Sequence, residues 1–428
     1  MRPAVPSDAP PIETRRFRRF FADLGPGLIT GAADDDPSGI STYSVAGAAF
    51  GYQPLWTALV SFPLMASVQL MCARLGLVTG LGLAGVIRRR YSRWVLWSAC
   101  TLLIVANVIN IAADLGGMAE ATTMVSGAPA PLMVPLFGGL IVVLLMWSSY
   151  RTIARVFKWL TLVLLAYVVT AFVARVDWRL ALRATLLPHM EWSRAFFSVL
   201  VAILGTTISP YLFFWQAAQE VEEERSMGRN LAHRRGATRE ELLACRTDVV
   251  AGMFASNVIM YFIITTTAAT LHASGRTTIA TAQEAADALR PLAGAGAYWL
   301  FSLGLIGTGM LAVPVLAGSC AYAIAEAAAW RGSLNRPPRH AKKFYLVLAV
   351  AVALGIALNY AGLDAVKMLF AAAVVNGVLA PPLILIVLLL TGNPAVMGSA
   401  VNTRAAASLG WFTFGVMVVA ALGLLIAS

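Results

Sequence analysis

Charge is what this chain has least of. Lys, Arg, Asp and Glu make up 12% of its 428 residues, against 59% hydrophobic ones. A soluble domain carries roughly a quarter of its residues charged, so a water-facing globular surface is excluded. Histidine and cysteine are scarce too, with four of each. Cys72, Cys100, Cys245 and Cys320 are scattered and form no CxxC, which removes thiolate metal sites and a disulfide framework. His189, His233 and His340 fall in loops and His272 at the end of an apolar run. No imidazole is therefore placed at membrane depth to carry protons around neutral pH. No HExxH and no Ser/His or Cys/His set occurs at that depth, so the chain does not read as an enzyme, and no cofactor is called for.

What is abundant is uncharged length. Charge-free runs of spanning size recur over 94–113, 121–150, 195–219, 249–271, 291–325, 344–363, 368–403 and 405–428. A first span beginning near Leu24, the long run after it to Ala73 and a weaker segment at 159–174 bring the expectation to eleven helices. Long, non-alternating runs exclude a β-barrel, leaving an all-α polytopic protein whose partner is the lipid bilayer. A cytoplasmic N-terminus puts most of the 32 basic residues inside, in the tail to Arg19, at Arg74, 88–93, 151–158, 225–246, 331–343 and Arg404. The positive-inside bias thus orients the chain in a plasma membrane, expected to be a bacterial inner membrane. The net charge of +11 is dispersed over these loops and does not point to nucleic acid. Nothing indicates an obligate protein partner.

Two spans are interrupted. The first carries Asp34-Asp35-Asp36-Pro37-Ser38-Gly39 near its middle. One central Asp costs about 3 kcal/mol on insertion scales, so three would cost about 8–10 kcal/mol unless a cation or a water path meets them. The sixth span reads Gly205-Thr206-Thr207-Ile208-Ser209-Pro210-Tyr211, and Pro210 follows Pro37 by 173 positions with five spans between the breaks. An odd number of spans per repeat inverts the second repeat. Paired proline-interrupted spans in two such halves point to a midplane substrate site of a secondary transporter.

These residues resemble the Nramp divalent-metal transporters, most closely their divergent bacterial, magnesium-transporter-like branch. The likeness covers roughly residues 20–428 and includes Gly25-Pro26-Gly27-Leu28, the span-1 Asp-Pro and Asn110-Ile111-Ala112-Ala113-Asp114. It implies a LeuT-type five-plus-five inverted repeat with broken helices 1 and 6. That sets a tail over 1–20, a first repeat over 21–176, a second over 194–392 and an eleventh helix over 405–428. The family's Asp-Pro-Gly-Asn is Asp36-Pro37-Ser38-Gly39 here, so the aspartate stays and the amide is lost at Gly39. Its Ala-x-x-Met-Pro-His is Thr206-Thr207-Ile208-Ser209-Pro210-Tyr211, so the thioether and the histidine are both replaced. The resemblance thus implies a divalent cation as substrate, with Asp36 as direct ligand and the Thr206 carbonyl and Ser209 hydroxyl in support. An all-oxygen site of few ligands suits Mg²⁺ or Mn²⁺, with Fe²⁺ as a further candidate.

Other polar residues leave two readings each. Asp34 and Asp35 point about 100° apart around a helix and cannot both face an ion beside Asp36, so one is a candidate for the access path. Asp114 and Glu120 are candidates for a proton path, although the family's Asp-x-x-Glu is broken by Gly117; Asp114 also suits a structural hydrogen bond. Asn376 and Tyr211 are candidates for the site, Asn376 equally for an interhelical hydrogen bond. Glu220, Glu222, Glu223 and Glu224 read first as a solvated cytoplasmic loop, and second as a cation-gathering vestibule. The function expected is uptake of divalent cations with weak or no proton coupling. The alternatives are a proton-coupled Mn²⁺/Fe²⁺ symporter and an organic-solute carrier of the same fold.

Overall fold

The computed structural model describes residues 25–427 apart from 148–151, 153–161, 227, 229–235 and 363. The tail expected over 1–20, most of the basic stretch 151–158 and the front of the segment 159–174 lie outside the described residues. The helices are α1 (Pro26–Asp34), α2 (Pro37–Phe50), α3 (Trp56–Thr79), α4 (Leu83–Arg90), α5 (Arg93–Ser126), α6 (Ala130–Trp147), α7 (Leu165–Val173) and α8 (Trp178–Leu186). They continue as α9 (Arg194–Thr207), α10 (Pro210–Ser226), α11 (Arg239–Thr270), α12 (Ala282–Ala286), α13 (Ala297–Ala327), α14 (Lys342–Asn359), α15 (Ala365–Thr391) and α16 (Arg404–Ile426).

Nine described helical stretches are long and apolar enough to cross a membrane. The broken pair α1–α2 and the short apolar Leu162–Val173 complete the expected set. The run 121–150 proves to be two pieces. Its start belongs to α5, which stops where Gly127 takes the left-handed conformation (φ 72°) before α6 begins at Ala130. A further correction concerns the acidic cluster after the sixth span. It is no solvated loop: α10 continues through it, and Glu220, Glu222 and Glu224 are 4%, 3% and 2% exposed. Their partners come from elsewhere in the bundle. Gln216 and Cys245 donate to Glu220, while Arg225, Ser333 and Asn335 donate to Glu222.

Helices α5, α6, α13 and α14 pack mainly on one another, and α1/α2, α3, α9/α10 and α11 form a second group. Helix α15 touches both, and α16 lies against α15 and α9. The second group holds both breaks. Each broken helix docks on a neighbour through glycines about one turn before its break. A Cβ at Gly31 would lie 2.3 Å from the Gly252 carbonyl oxygen, and one at Gly205 would lie 2.1 Å from the Ala373 carbonyl oxygen. Backbone-to-backbone packing of this kind is how membrane helices gain close approach. It fixes where the two breaks sit relative to each other.

Gly31→Val should therefore destabilise the protein by about 1–3 kcal/mol or more, the usual range for overpacking. Gly139, where an added methyl group would meet nothing within 4 Å, supplies the control: Gly139→Val should leave the thermal midpoint in detergent unchanged.

Candidate functional site

A proline at position i removes the donor that carbonyl i−4 would use. Pro37 therefore orphans the Ala33 carbonyl, and Pro210 orphans that of Thr206, each deep in the protein. Both are met by hydroxyls. Tyr211 on α10 donates to the Ala33 carbonyl at 3.0 Å, and Ser209 donates to the Thr206 carbonyl at 2.6 Å, with the Gly205 carbonyl at 2.9 Å as a second acceptor. One break is thus tied across to the other helix, and the other is closed within its own turn.

The two breaks are built alike. In each, two residues separate the half-helices: Asp35 and Asp36 in the first, Ile208 and Ser209 in the second. The first residue of each pair has a similar backbone, with φ −83°, ψ 52° at Asp35 and φ −118°, ψ 56° at Ile208. Asp36 and Ser209 are therefore equivalents under the inverted repeat. Other prolines inside spans, Pro63, Pro135, Pro314, Pro381 and Pro382, sit in uninterrupted helices. Among the described residues, only Pro37 and Pro210 stand at the break of a span.

Asp36 is the N-cap of α2. Its Oδ1 accepts from the Gly39 amide at 2.7 Å, and its Oδ2 lies 3.4 Å from the Tyr211 hydroxyl. A carboxylate at a helix N-terminus is favoured by the cap hydrogen bond and by the helix dipole. Gly39 stands beside it, and a Cβ there would make ordinary contacts of 3.4 Å to the Asp34 carbonyl, Asp36 Oδ1 and Tyr43. The Thr206 hydroxyl reaches Tyr43 at 3.2 Å, joining α9 to α2.

Asp34 and Asp35 turn away from Asp36 toward α11. One hydroxyl serves both: Ser256 lies 2.7 Å from Asp34 Oδ2 and 3.0 Å from Asp35 Oδ1, while Asp34 Oδ1 has no hydrogen-bond partner. Sequence reading missed Ser256. Its only signal is a small hydroxyl in an apolar run, which does not say what it faces. Asp114 on α5 comes to the same region, with Asp36 and the Ser38 amide as polar neighbours. Neither of its buried oxygens is in a well-formed hydrogen bond. Asp34, Asp35, Asp36 and Asp114 are 0%, 5%, 3% and 0% exposed, and among the described residues none of them pairs with Lys, Arg or His. No three Asp, Glu, His or Cys side chains among the described residues converge as a ready metal cage. Any cation held here needs backbone carbonyls, hydroxyls or water as well.

Two candidates sit apart from this centre. Asn376 forms a reciprocal amide pair with Asn110, at 2.9 and 3.1 Å, so its side chain joins α15 to α5. Glu120 lies one and two-thirds turns beyond Asp114, about 9 Å of helix rise, and accepts from the Ala282 amide at 3.1 Å. On the other side of the break a polar line runs from Thr30 on α1 to Gln216 (2.5 Å) and on to Glu220 (2.8 Å), both on α10. The start of α1 is capped from α11: Asp248 accepts from the Gly27 amide at 2.6 Å and the Leu28 amide at 3.3 Å.

Two half-helices meeting at a buried acidic centre, in a five-plus-five inverted repeat, define the LeuT-type fold. Solved structures share that fold. The Eremococcus coleocola manganese transporter superposes with a TM-score of 0.74 at 21% identity, covering 98% of this chain and 90% of its own. Mhp1, a nucleobase-cation-symport-1 family transporter, does so at 0.57 and 14%, covering 94% and 91%. The chain belongs to the Nramp (natural resistance-associated macrophage protein-like) family, whose pattern matches residues 27–427. The divalent metal cation transporter MntH of Klebsiella pneumoniae is 26% identical over 412 residues, 93% of this chain and 92% of the relative. That of Yersinia pestis is 28% identical over 395 residues, 90% of each.

Proposed function

We infer that this protein is a secondary transporter taking up divalent metal cations through the centre between α1/α2 and α9/α10. The observation that carries the reading is four buried carboxylates without a basic partner among the described residues, placed where two prolines orphan backbone carbonyls. Relatives of the same family carry names as divalent-metal and manganese transporters, which supports the same substrate class. Asp36 is the direct carboxylate ligand. The carbonyls of Thr206 and Ala33 and the Ser209 hydroxyl are its supports, and Gly39 leaves room where the family has an amide. Tyr211 ties the two breaks together, and Asp34 and Asp35 line the access path. Asn376 acts at a distance by anchoring α15. The first repeat runs over 21–176 and the second over 194–392, with the N-terminus in the cytoplasm of a bacterial inner membrane.

An organic carboxylate substrate is disfavoured, because the helix N-terminus that would receive it is already capped by Asp36. Asp36→Asn should reduce uptake of radiolabelled Mn²⁺ and dye-reported Mg²⁺ in proteoliposomes to background while leaving the thermal midpoint close to wild type. Uptake near wild type would remove Asp36 from the ligand set.

An oxygen-only centre with few ligands favours ions that keep several waters, so Mg²⁺ and Mn²⁺ are the preferred cargo. Introducing sulfur and an amide with Ser209→Met and Gly39→Asn should raise the affinity for Cd²⁺ relative to Mg²⁺ in calorimetric titrations. A wild type that already binds Cd²⁺ far more tightly than Mg²⁺, unchanged in the double variant, would refute the oxygen-only account.

Coupling to protons is weak in this reading. A tyrosine, ordinarily titrating near 10, stands where the family has histidine, and Glu120 is engaged with the Ala282 amide. The membrane potential suffices: about 2.3 kcal/mol per charge per 100 mV gives a dication about 4.6 kcal/mol, more than a thousandfold accumulation. Uptake should therefore follow an imposed potential with little acidification of the vesicle interior. Stoichiometric acidification, lost in Asp114→Asn, would establish a proton path through α5.

A further inference from the structure

The start of α5 carries a second feature, away from the two breaks. A cavity of about 490 Å³ lies between this helix and the end of α13, lined by Arg88, Tyr91, Arg93, Leu96, Trp97 and the Ala327–Ala328 turn. It has two guanidinium groups and no acidic side chain in its lining. The nearest carboxylate in sequence, Glu326, is taken up by the Gly82 and Gly85 amides at the start of α4, both at 3.0 Å. Arg88 is exposed, as is Arg93. Two uncompensated cations beside a preformed cavity attract an anion.

The surface below the cavity says which kind. Trp94 is 85% exposed, Trp97 43% and Val105 48%, and Thr101 is exposed between them. These positions recur at helical spacing and form one apolar stripe down α5, away from the protein core. Arginines at the mouth, indoles at the level where a span begins and an apolar stripe beneath are the arrangement that receives a lipid: headgroup phosphate above, acyl chain below. A free anion would use the arginines and leave the stripe without purpose.

We propose that Arg88, Arg93, Tyr91 and Trp97 form a binding site for an anionic phospholipid headgroup, whose acyl chain lies along Trp94, Thr101 and Val105. The bound lipid bridges the start of α5 to the end of α13, two helices of the group that does not carry the breaks. Arg89 sharpens the assignment. It stands next to Arg88 in sequence but lines a different cavity, between α4 and the 395–400 segment.

The test uses the full-length protein in detergent, with native mass spectrometry to count retained lipid and a thermal midpoint as the second readout. Phosphatidylglycerol should be retained and should raise the midpoint above that in phosphatidylcholine. Arg88→Gln with Arg93→Gln should weaken retention about thirtyfold, the equivalent of about 1 kcal/mol for each basic residue near the membrane surface. Arg89→Gln removes the same kind of charge outside the cavity and should change retention little. Arg93→Gln alone supplies an intermediate loss should the double variant prove unstable. Three results would overturn the proposal: equal loss with Arg89→Gln, equal retention of phosphatidylcholine, or full stabilisation by inorganic phosphate without lipid.

Discussion

Two missing backbone donors organise this molecule. Inside a bilayer an unsatisfied carbonyl has no water to turn to, and each costs several kcal/mol. Pro37 and Pro210 each create one, at Ala33 and Thr206, and the structure answers with the hydroxyls of Tyr211 and Ser209. Much else follows from holding those hydroxyls in place. The Tyr211 contact needs α10 laid against the end of α1. That placement depends on α1 lying close to α11 through Gly31 and Gly252, and on α9 lying close to α15 through Gly205. The polar line from Thr30 to Gln216 and Glu220, together with the Asp248 cap on α1, holds the same two half-helices on the far side of the break.

The carboxylates are the second constraint, and they oppose the first. Four acids buried with no basic partner among the described residues favour a positive charge that can enter. The protein restrains them with few, neutral donors: a cap amide and the Tyr211 hydroxyl for Asp36, one shared hydroxyl for Asp34 and Asp35, and no well-formed hydrogen bond for Asp114. Neutral donors of this kind hold carboxylates in position without neutralising them. A resident Lys or Arg would have satisfied the charge and removed the attraction for a cation. The arrangement is under-satisfied at the centre proposed above for the cargo.

Much of this was legible in the sequence, and for physical reasons. Spanning helices follow from charge-free length, and the breaks follow from proline and aspartate inside such length, because both are expensive there. The inverted repeat follows from the 173-residue offset, to which the structure adds matched two-residue breaks. What stayed hidden were contacts between spans. Ser256, Asn110 as the partner of Asn376, and Asp248 as the cap of α1 lie far along the chain from what they touch, and one polar residue on an apolar helix does not announce its partner. The acidic stretch from Glu220 was misread because charge density suggests solvent, whereas hydrogen bonds from Gln216, Cys245, Ser333 and Asn335 allow it to be buried. Helix ends set by glycine, as at Gly127, were likewise invisible to a count of charge-free residues.

The two hydroxyls also account for how this chain departs from the family pattern without losing its fold. Position 209 lies three residues past the orphaned Thr206 carbonyl, where a short side chain can fold back and donate to it. A thioether there could not donate, so Ser209 supplies a donor that methionine would lack. Ser209 covers the Thr206 carbonyl from within its own turn. Tyr211 does the same for Ala33 from the other broken helix. A hydroxyl therefore meets the orphaned carbonyl at both breaks. Each buried carbonyl is thereby satisfied through a single rotatable O–H bond, without a backbone donor.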